Sequence, residues 1–203
     1  LLSTLMDTDS YKFGQYSQYP DNTTRMFSYF ESRGGEGLNV LFFGLQYNIK
    51  KYLTVKITIE DVKEASLFAS LHGVPFNYEG WMYIANDLDG NIPLRLKAVP
   101  EGMKIPKKNI LISAESTDEK CAWIVNWYET ALVRLWYPMT VATLASDIKE
   151  IVMKYEDISC DDPEGDIGFK LNDFGSRGAS SQETAMIGGA SHLVSFKGSD
   201  NIA

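Results

Sequence analysis

The chain has 203 residues, 44% of them hydrophobic, so it can bury a core of its own and is expected to form one or two domains. Its formal net charge of -8 argues against a non-specific binder of nucleic acid or of anionic membranes, since such proteins present a basic field to phosphates. Two cysteines without Cys-x-x-Cys spacing, Cys121 and Cys160, and two histidines, His72 and His192, make a zinc site improbable.

No apolar run reaches the length of a membrane span, and the amino end lacks a charged start followed by an apolar core. A cytoplasmic location is the expectation.

In chain order, "TDSYKFGQYSQYPDNTT" (8–24) is rich in Tyr and turn formers and reads as a loop or short helix. "RMFSYFESR" (25–33) alternates like a strand, and the glycines of "GGEG" (34–37) break it. "LNVLFFGLQYNIKKYL" (38–53) has apolar residues at helical spacing, with Gly44 inside. Thr58 as N-cap, acids in the first turn and Gly73 as a stop predict a helix over about 59–72.

"IPLRLKAVPEG" and "NILISAES" predict two strands around the turn residues Pro100 to Pro106. A helix is predicted after Thr117, with Trp123, Trp127, Ile124, Tyr128 and Leu132 at i, i+4 spacing, ended by Pro138. Another covers 139–156, with Val141, Leu144, Ile148, Val152 and Tyr155 on one side.

The acidic "DDPEGD" (161–166) reads as a loop and domain boundary. Beyond it "IGFKLNDF" predicts a strand, "SSQETAMIGGASHL" a helix with Ser180 and Glu183 as a capping box, and "VSFKG" a second strand. Strand, helix, strand within about 30 residues is a βαβ unit.

Parallel βα units carry ligand-binding residues on the loops beyond the carboxyl ends of their strands. Asp173, Phe174, Gly175, Arg177 and Gly178 fall there after the first strand, and Asp200 after the second. Free N–H groups at Ala179 to Gln182 and the positive end of the helix dipole favour an anion. The residues alone reach only an aromatic-plus-anion site. Each has a plainer reading: Phe174 as a core ring, Arg177 and Arg33 as solvated charges, Asp200 as a turn residue, Asp9 and Tyr11 as a capped turn. Trp123, Trp127 and Trp136 read as core or subunit interface, His192 as structural, and both cysteines as inert.

Taken together, "TDSYK", "QYP", "FESR", "FFGLQY", "KAVPEG", "NWYET", "WYPMTVAT", "LNDFGSRGASSQETA" and "HLVSFKGSD" resemble the nicotinamide phosphoribosyltransferase family throughout the chain, in order and at compatible spacings. The resemblance implies an α/β fold class: an amino-terminal α+β domain with dimer-contact helices over 1–138, then over 139–203 the first βα units of an irregular, incomplete α/β barrel. It implies transfer of a phosphoribosyl group from 5-phosphoribosyl-1-pyrophosphate to nicotinamide, giving nicotinamide mononucleotide and pyrophosphate in NAD salvage. Mg2+ would accompany the pyrophosphate substrate, and ATP coupling is left open, with ATP a candidate activator.

By the same resemblance Phe174 is one wall of a sandwich around the pyridine ring, and Tyr11 the other, supplied by the second subunit of a homodimer. Arg177 donates to the carboxamide oxygen, while Asp200 accepts from its NH2 group and repels the carboxylate of nicotinate. Arg33 matches a phosphate-holding arginine, and Asp9, beside Tyr11, a supporting role at the catalytic site. Asn172, Ser176 and Phe169 depart from the family's His, Tyr and Tyr, and "GGEG" replaces a longer basic segment.

Enzymes of the family are more than twice as long, and the phosphorylated histidine and further substrate-binding acids and arginines fall beyond Asp200. The expectation is a fragment, or one half of a split enzyme whose second chain carries the rest, inactive alone. A nicotinate phosphoribosyltransferase and a non-catalytic binding module are the competing readings.

Overall fold

In the computed structural model, residues 3–35 and 37–201 are described; Glu36 of the "GGEG" break lies outside them. A 3-10 helix over Ser10–Gln18 precedes strands β1 (Phe27–Glu31) and β2 (Asn39–Leu41). Helix α1 (Leu45–Asn48) runs on into a π-helical turn over Ile49–Leu53, and α2 (Ile59–His72) and α3 (Tyr78–Asn86) follow. Strands β3 (Leu94–Ala98), β4 (Lys104–Pro106) and β5 (Ile110–Ser116) lead into helices α4 (Ile124–Trp127), α5 (Glu129–Val133), α6 (Trp136–Ser159) and α7 (Pro163–Asp166). Last come β6 (Asn172–Asp173), α8 (Gln182–His192) and β7 (Gly198–Ser199). The mixed helix and strand content is that of an α/β protein.

The chain forms two compact units: one takes in the chain up to Glu31 with Leu45–Ala98 and Ile110–Arg134, the other Ser32–Gly44, Val99–Asn109 and the chain from Leu135 on. In the first, β1, β5 and β3 make an antiparallel sheet with β5 in the middle, and the register of the β1 pairing shifts between Phe30, opposite Ile112, and Glu31, opposite Ile110. Arg95 stands opposite Glu115 and donates to it at 3.0 Å. Helix α2 starts as predicted: Thr58 accepts from the Asp61 N–H while the Asp61 carboxylate accepts from the Thr58 N–H, and Gly73 closes the helix at φ 80°. Val62, Ala65 and Ala69 give it a buried face.

The core of this unit is aromatic. Trp81, Trp123, Trp127 and Phe13 are buried, and their rings meet tilted or edge to face, with Trp127 4.8 Å from Phe13 and 5.1 Å from Trp81. The indole N–H of Trp127 donates to the Leu5 carbonyl at 2.8 Å.

In the second unit, β2 pairs antiparallel with β4, Val40 opposite Ile105. The Leu41 N–H donates to the Thr143 hydroxyl at 2.8 Å, which ties β2 to α6. Lys104 of β4 pairs with Asp147 at 3.5 Å and with Glu150. Strands β6 and β7 are parallel, with α8 between them in the chain, so the βαβ unit is present.

Several local expectations are corrected. The stretch 38–53 is not one helix, because Gly44 adopts φ 104° and divides β2 from α1; a Cβ there would stand 2.7 Å from the Pro138 ring. Residues 104–106, read as turn, form β4. The segment after Thr117 breaks into α4 and α5, and Pro138 does not end a helix but sits in the first turn of α6, where the N–H that proline lacks has no intrahelical acceptor in any case.

Trp136 is 58% exposed, which removes core from its two readings and leaves subunit interface. On α6 the buried residues are Pro138, Met139, Ala142, Ala145 and Glu156, whereas Leu144 and Tyr155 of the predicted apolar side are exposed. The acidic loop contains the short α7. The strand predicted over 167–174 shrinks to β6 after a 3-10 turn, and β7 starts at Gly198, later than predicted. The cap of α8 is Ser181, which accepts from the Thr184 N–H at 3.1 Å, instead of Ser180.

Candidate functional site

The pairing of Asn172 with Gly198 and of Asp173 with Ser199 places the carboxyl ends of β6 and β7 side by side. The Asp200 N–H donates to the Asp173 carbonyl at 2.9 Å, continuing the ladder one step. Phe174 leaves β6 and enters a 3-10 turn, Gly175–Gly178, that carries Arg177; Asp200 leaves β7. Phe174, Arg177 and Asp200 therefore project from two adjacent loops at one end of a parallel pair, the position from which ligand sites in α/β sheets are built.

The local chemistry explains the turn. The Asp173 carboxylate accepts from the Gly175 N–H at 2.9 Å, an Asx-type turn, and a Cβ on Gly175 would stand 2.9 Å from the same oxygen. Across the strands the Asn172 amide lies over Gly198, where a Cβ would overlap its oxygen. The Ala179 N–H is not free for an anion as the sequence suggested, because it donates to the Ser176 carbonyl at 3.2 Å.

Phe174 is 58% exposed and offers a ring face. Arg177 and Asp200 are exposed, and among the described residues neither side chain has an ion-pair or hydrogen-bond partner. One cationic fork, one carboxylate and one ring can thus meet a planar ligand with a donor and an acceptor at its edge.

Beside them a cavity of about 270 Å³ runs between α6 and the βαβ unit, lined by Val141, Leu144 and Ile148 on one side and by Leu171, Asp173 and Phe174 on the other. Its volume lies near the lower end of small-molecule pockets, roughly 300–1,000 Å³. His192, at its floor, is buried, holds the Leu171 carbonyl at 3.2 Å and stacks on Phe196 at 5.2 Å, which is a structural role.

The other sequence-marked residues belong to other segments of the chain. Arg33, in the same unit, is exposed on the segment between β1 and β2. Asp9 and Tyr11 belong to the first unit. The Asp9 carboxylate accepts from the Thr130 hydroxyl, and Tyr11 is 59% exposed, with the Lys12 ammonium 4.9 Å from its ring centre. Lys12 itself is buried: burial disfavours its charge, but hydrogen bonds to Glu129 and Tyr11 and the attraction of Glu129 outweigh that, and its pKa lies above the usual lysine value. No sequence pattern announced Lys12, nor Asn201, whose side chain joins the two loops of the site.

Neither cysteine is poised as a nucleophile. Burial first, then the charge and hydrogen bond of Asp118, push the Cys121 thiol up to about 12, and a hydrogen bond to Glu156 raises that of Cys160. Iodoacetamide at pH 7.5 is expected to label both at least ~10-fold more slowly in the folded chain than in urea. Peptide mass spectrometry reads the rates, and rapid folded-state labelling of Cys121 would overturn the assignment.

Comparison with known proteins matches residues 3–96 to the family model described as nicotinamide phosphoribosyltransferase, N-terminal domain, and residues 169–203 to that of the nicotinate phosphoribosyltransferase (NAPRTase) family. A nicotinamide phosphoribosyltransferase of Xanthomonas campestris is 46% identical over 98% of this chain and 42% of its own length. One of Acinetobacter baylyi is 28% identical over 99% of this chain and 43% of its own. The chain thus spans less than half the length of these curated relatives. The crystal structure of human nicotinic acid phosphoribosyltransferase shares the fold, with a TM-score of 0.63 at 20% identity over 96% of this chain and 36% of that one.

Proposed function

Since the chain corresponds to the amino-terminal part of the nicotinamide phosphoribosyltransferase family, we propose that it supplies the nicotinamide-binding part of an enzyme that makes nicotinamide mononucleotide and pyrophosphate from nicotinamide and 5-phosphoribosyl-1-pyrophosphate. The observation that carries the reading is the grouping of Phe174, Arg177 and Asp200, the last unpaired among the described residues, on two neighbouring loops. The Phe174 ring stacks on one face of the pyridine. Arg177 donates to the carboxamide oxygen, and Asp200 accepts from the NH2 group.

Tyr11 of a second copy closes the other face, so the working unit is a homodimer, and Asp9, from the same segment as Tyr11, has a supporting role at the catalytic site. Arg33 holds phosphate oxygens. As pyrophosphate leaves, the ribose carbon becomes oxocarbenium-like, and holding the ring nitrogen in line is the main contribution of these residues. The compartment proposed is the cytoplasm; among the described residues no helix is long and apolar enough to cross a membrane.

Mg2+ enters this reading as a companion of the pyrophosphate substrate. Glu156, Cys160 and Asp166 come close enough to hold an ion, but the Lys170 ammonium lies 3.2 Å from Glu156 and 3.9 Å from Asp166 and does not fit a divalent cation there. ATP is proposed only as an activator.

The family match over residues 169–203 favours a second reading, a nicotinate phosphoribosyltransferase. The open carboxylate of Asp200 weighs against it, because a nicotinate carboxylate would meet a like charge.

The test is formation of nicotinamide mononucleotide from nicotinamide, phosphoribosyl pyrophosphate and Mg2+, by the 203-residue chain alone and mixed with the remaining part of the Xanthomonas relative, with nicotinate in parallel. Turnover of nicotinamide in the mixture and none in either part is expected. Turnover of nicotinate alone would replace the reading by its rival, and nicotinamide binding without turnover in any mixture would point to a binding module.

A further inference from the structure

The two loops of the site are joined through one amide side chain. Asn201 Oδ1 accepts from the Ser176 N–H at 2.9 Å, inside the turn that carries Arg177. Its Nδ2 donates to the Asp173 carboxylate at the end of β6 and to the Ala185 carbonyl of α8 at 3.2 Å. Its own N–H donates to the Ser199 hydroxyl at 3.1 Å, and that hydroxyl lies 3.5 Å from the same Asp173 oxygen. The other Asp173 oxygen holds the Gly175 N–H at 2.9 Å.

The planar amide accepts from the turn with its oxygen and donates to the strand and the helix with its nitrogen; a carboxylate lacks the donors and an aliphatic side chain lacks both. Gly189 of α8 leaves the space, since a Cβ there would stand 3.1 Å from the Asn201 Cβ. Asn201 directly follows Asp200, whose side chain has no partner among the described residues, so the link fixes the backbone on both sides of the gap a ligand would fill.

We propose that Asn201 and Asp173 are positioning residues, a polar latch that sets Phe174 and Arg177 against Asp200 so that the three meet the ring and carboxamide of one ligand. The assignment of that ligand rests on the nicotinamide reading above. Both latch side chains are engaged by these bonds and act through the loops. A shift of about 1 Å in such a grip costs on the order of 100-fold in the efficiency of the reaction it serves.

The experiment is a reciprocal exchange in the 203-residue chain: Asn201→Asp, Asp173→Asn, and the two combined. Each single change opposes like groups, two carboxylates or two amides. The combined change restores one carboxylate facing one amide, with position 173 still accepting from Gly175 and position 201 from Ser176; only the bond to the Ala185 carbonyl is lost. Amide hydrogen exchange at Gly175 and Ser176, and nicotinamide affinity by NMR titration, are the readouts. The amides of α2 report whether the fold is intact.

Each single change is expected to speed exchange at these two amides and weaken nicotinamide binding by ~10-fold, leaving α2 unchanged, and the combined change to bring both back to within ~3-fold of the parent. Unchanged exchange in the single variants, or a combined variant as impaired as the product of the singles, overturns the latch. If the parent chain shows no response to nicotinamide, the nicotinamide reading fails by itself, and exchange with its rescue still decides whether the latch exists.

Discussion

Exchanging Asp200 for Asn is expected to shift the ratio of nicotinamide to nicotinate affinity by ~100-fold towards nicotinate, equivalent to about 2.7 kcal/mol. The carboxylate is exposed and, among the described residues, unpaired, so its charge is available to a ligand. A nicotinate carboxylate entering between Arg177 and Asp200 gains one opposite charge and meets one like charge, and removing the like charge leaves the guanidinium to act alone. An amide at position 200 also loses part of its preference for the NH2 of nicotinamide, since it can donate as well as accept. Competition titrations of the two ligands on parent and variant give the ratio. A change of less than ~3-fold would remove Asp200 from the specificity argument.

The largest loss of stability is expected for Trp127→Ala, at about 3–5 kcal/mol in urea unfolding. Trp127 touches Phe13, Phe76, Trp81 and Trp123, with ring centres 4.8 to 6.3 Å away, and its truncation opens a cavity in the middle of that cluster. Trp127→Phe separates packing from hydrogen bonding. It retains much of the ring area but strands the Leu5 carbonyl, at a cost of about 1–3 kcal/mol.

Trp81 provides the control, for it is fully buried and, among the described residues, its indole N–H has no acceptor. Trp81→Phe therefore loses no hydrogen bond, and its cost should fall below that of Trp127→Phe. The opposite order would show that shape, not the Leu5 bond, sets the value of Trp127.

What could be read from the amino acids follows the range of the interactions. Helix α2 was legible because its start and stop are chemical events within four residues, Thr58 with Asp61 and then Gly73. Strands β1, β3 and β5 were legible from alternation and composition. Strands β2 and β4 were not, since three-residue strands that find each other across the chain leave no local periodicity.

Pro138 misled for a related reason: a proline stops a helix that reaches it but is harmless within the first turn. Of the site, the placement of Phe174, Arg177 and Asp200 after parallel strands followed from the βαβ pattern. Their roles towards a pyridine carboxamide came from the family resemblance and not from spacing. Asn201 was invisible, because an amide that binds a strand, a turn and a helix at once looks like any surface asparagine.

The shortness of β6 and β7 has a consequence for the order in which the chain folds. Their pairing closes across positions 26 apart, between Ser199 and Asp173, yet two residue pairs repay that closure. The loops they carry therefore form late and open early, ahead of the aromatic core of the other unit. A ligand gripping both loops would complete this last step of folding, and proteolytic cleavage between β6 and β7 would slow in its presence even where the melting of the rest of the chain does not change.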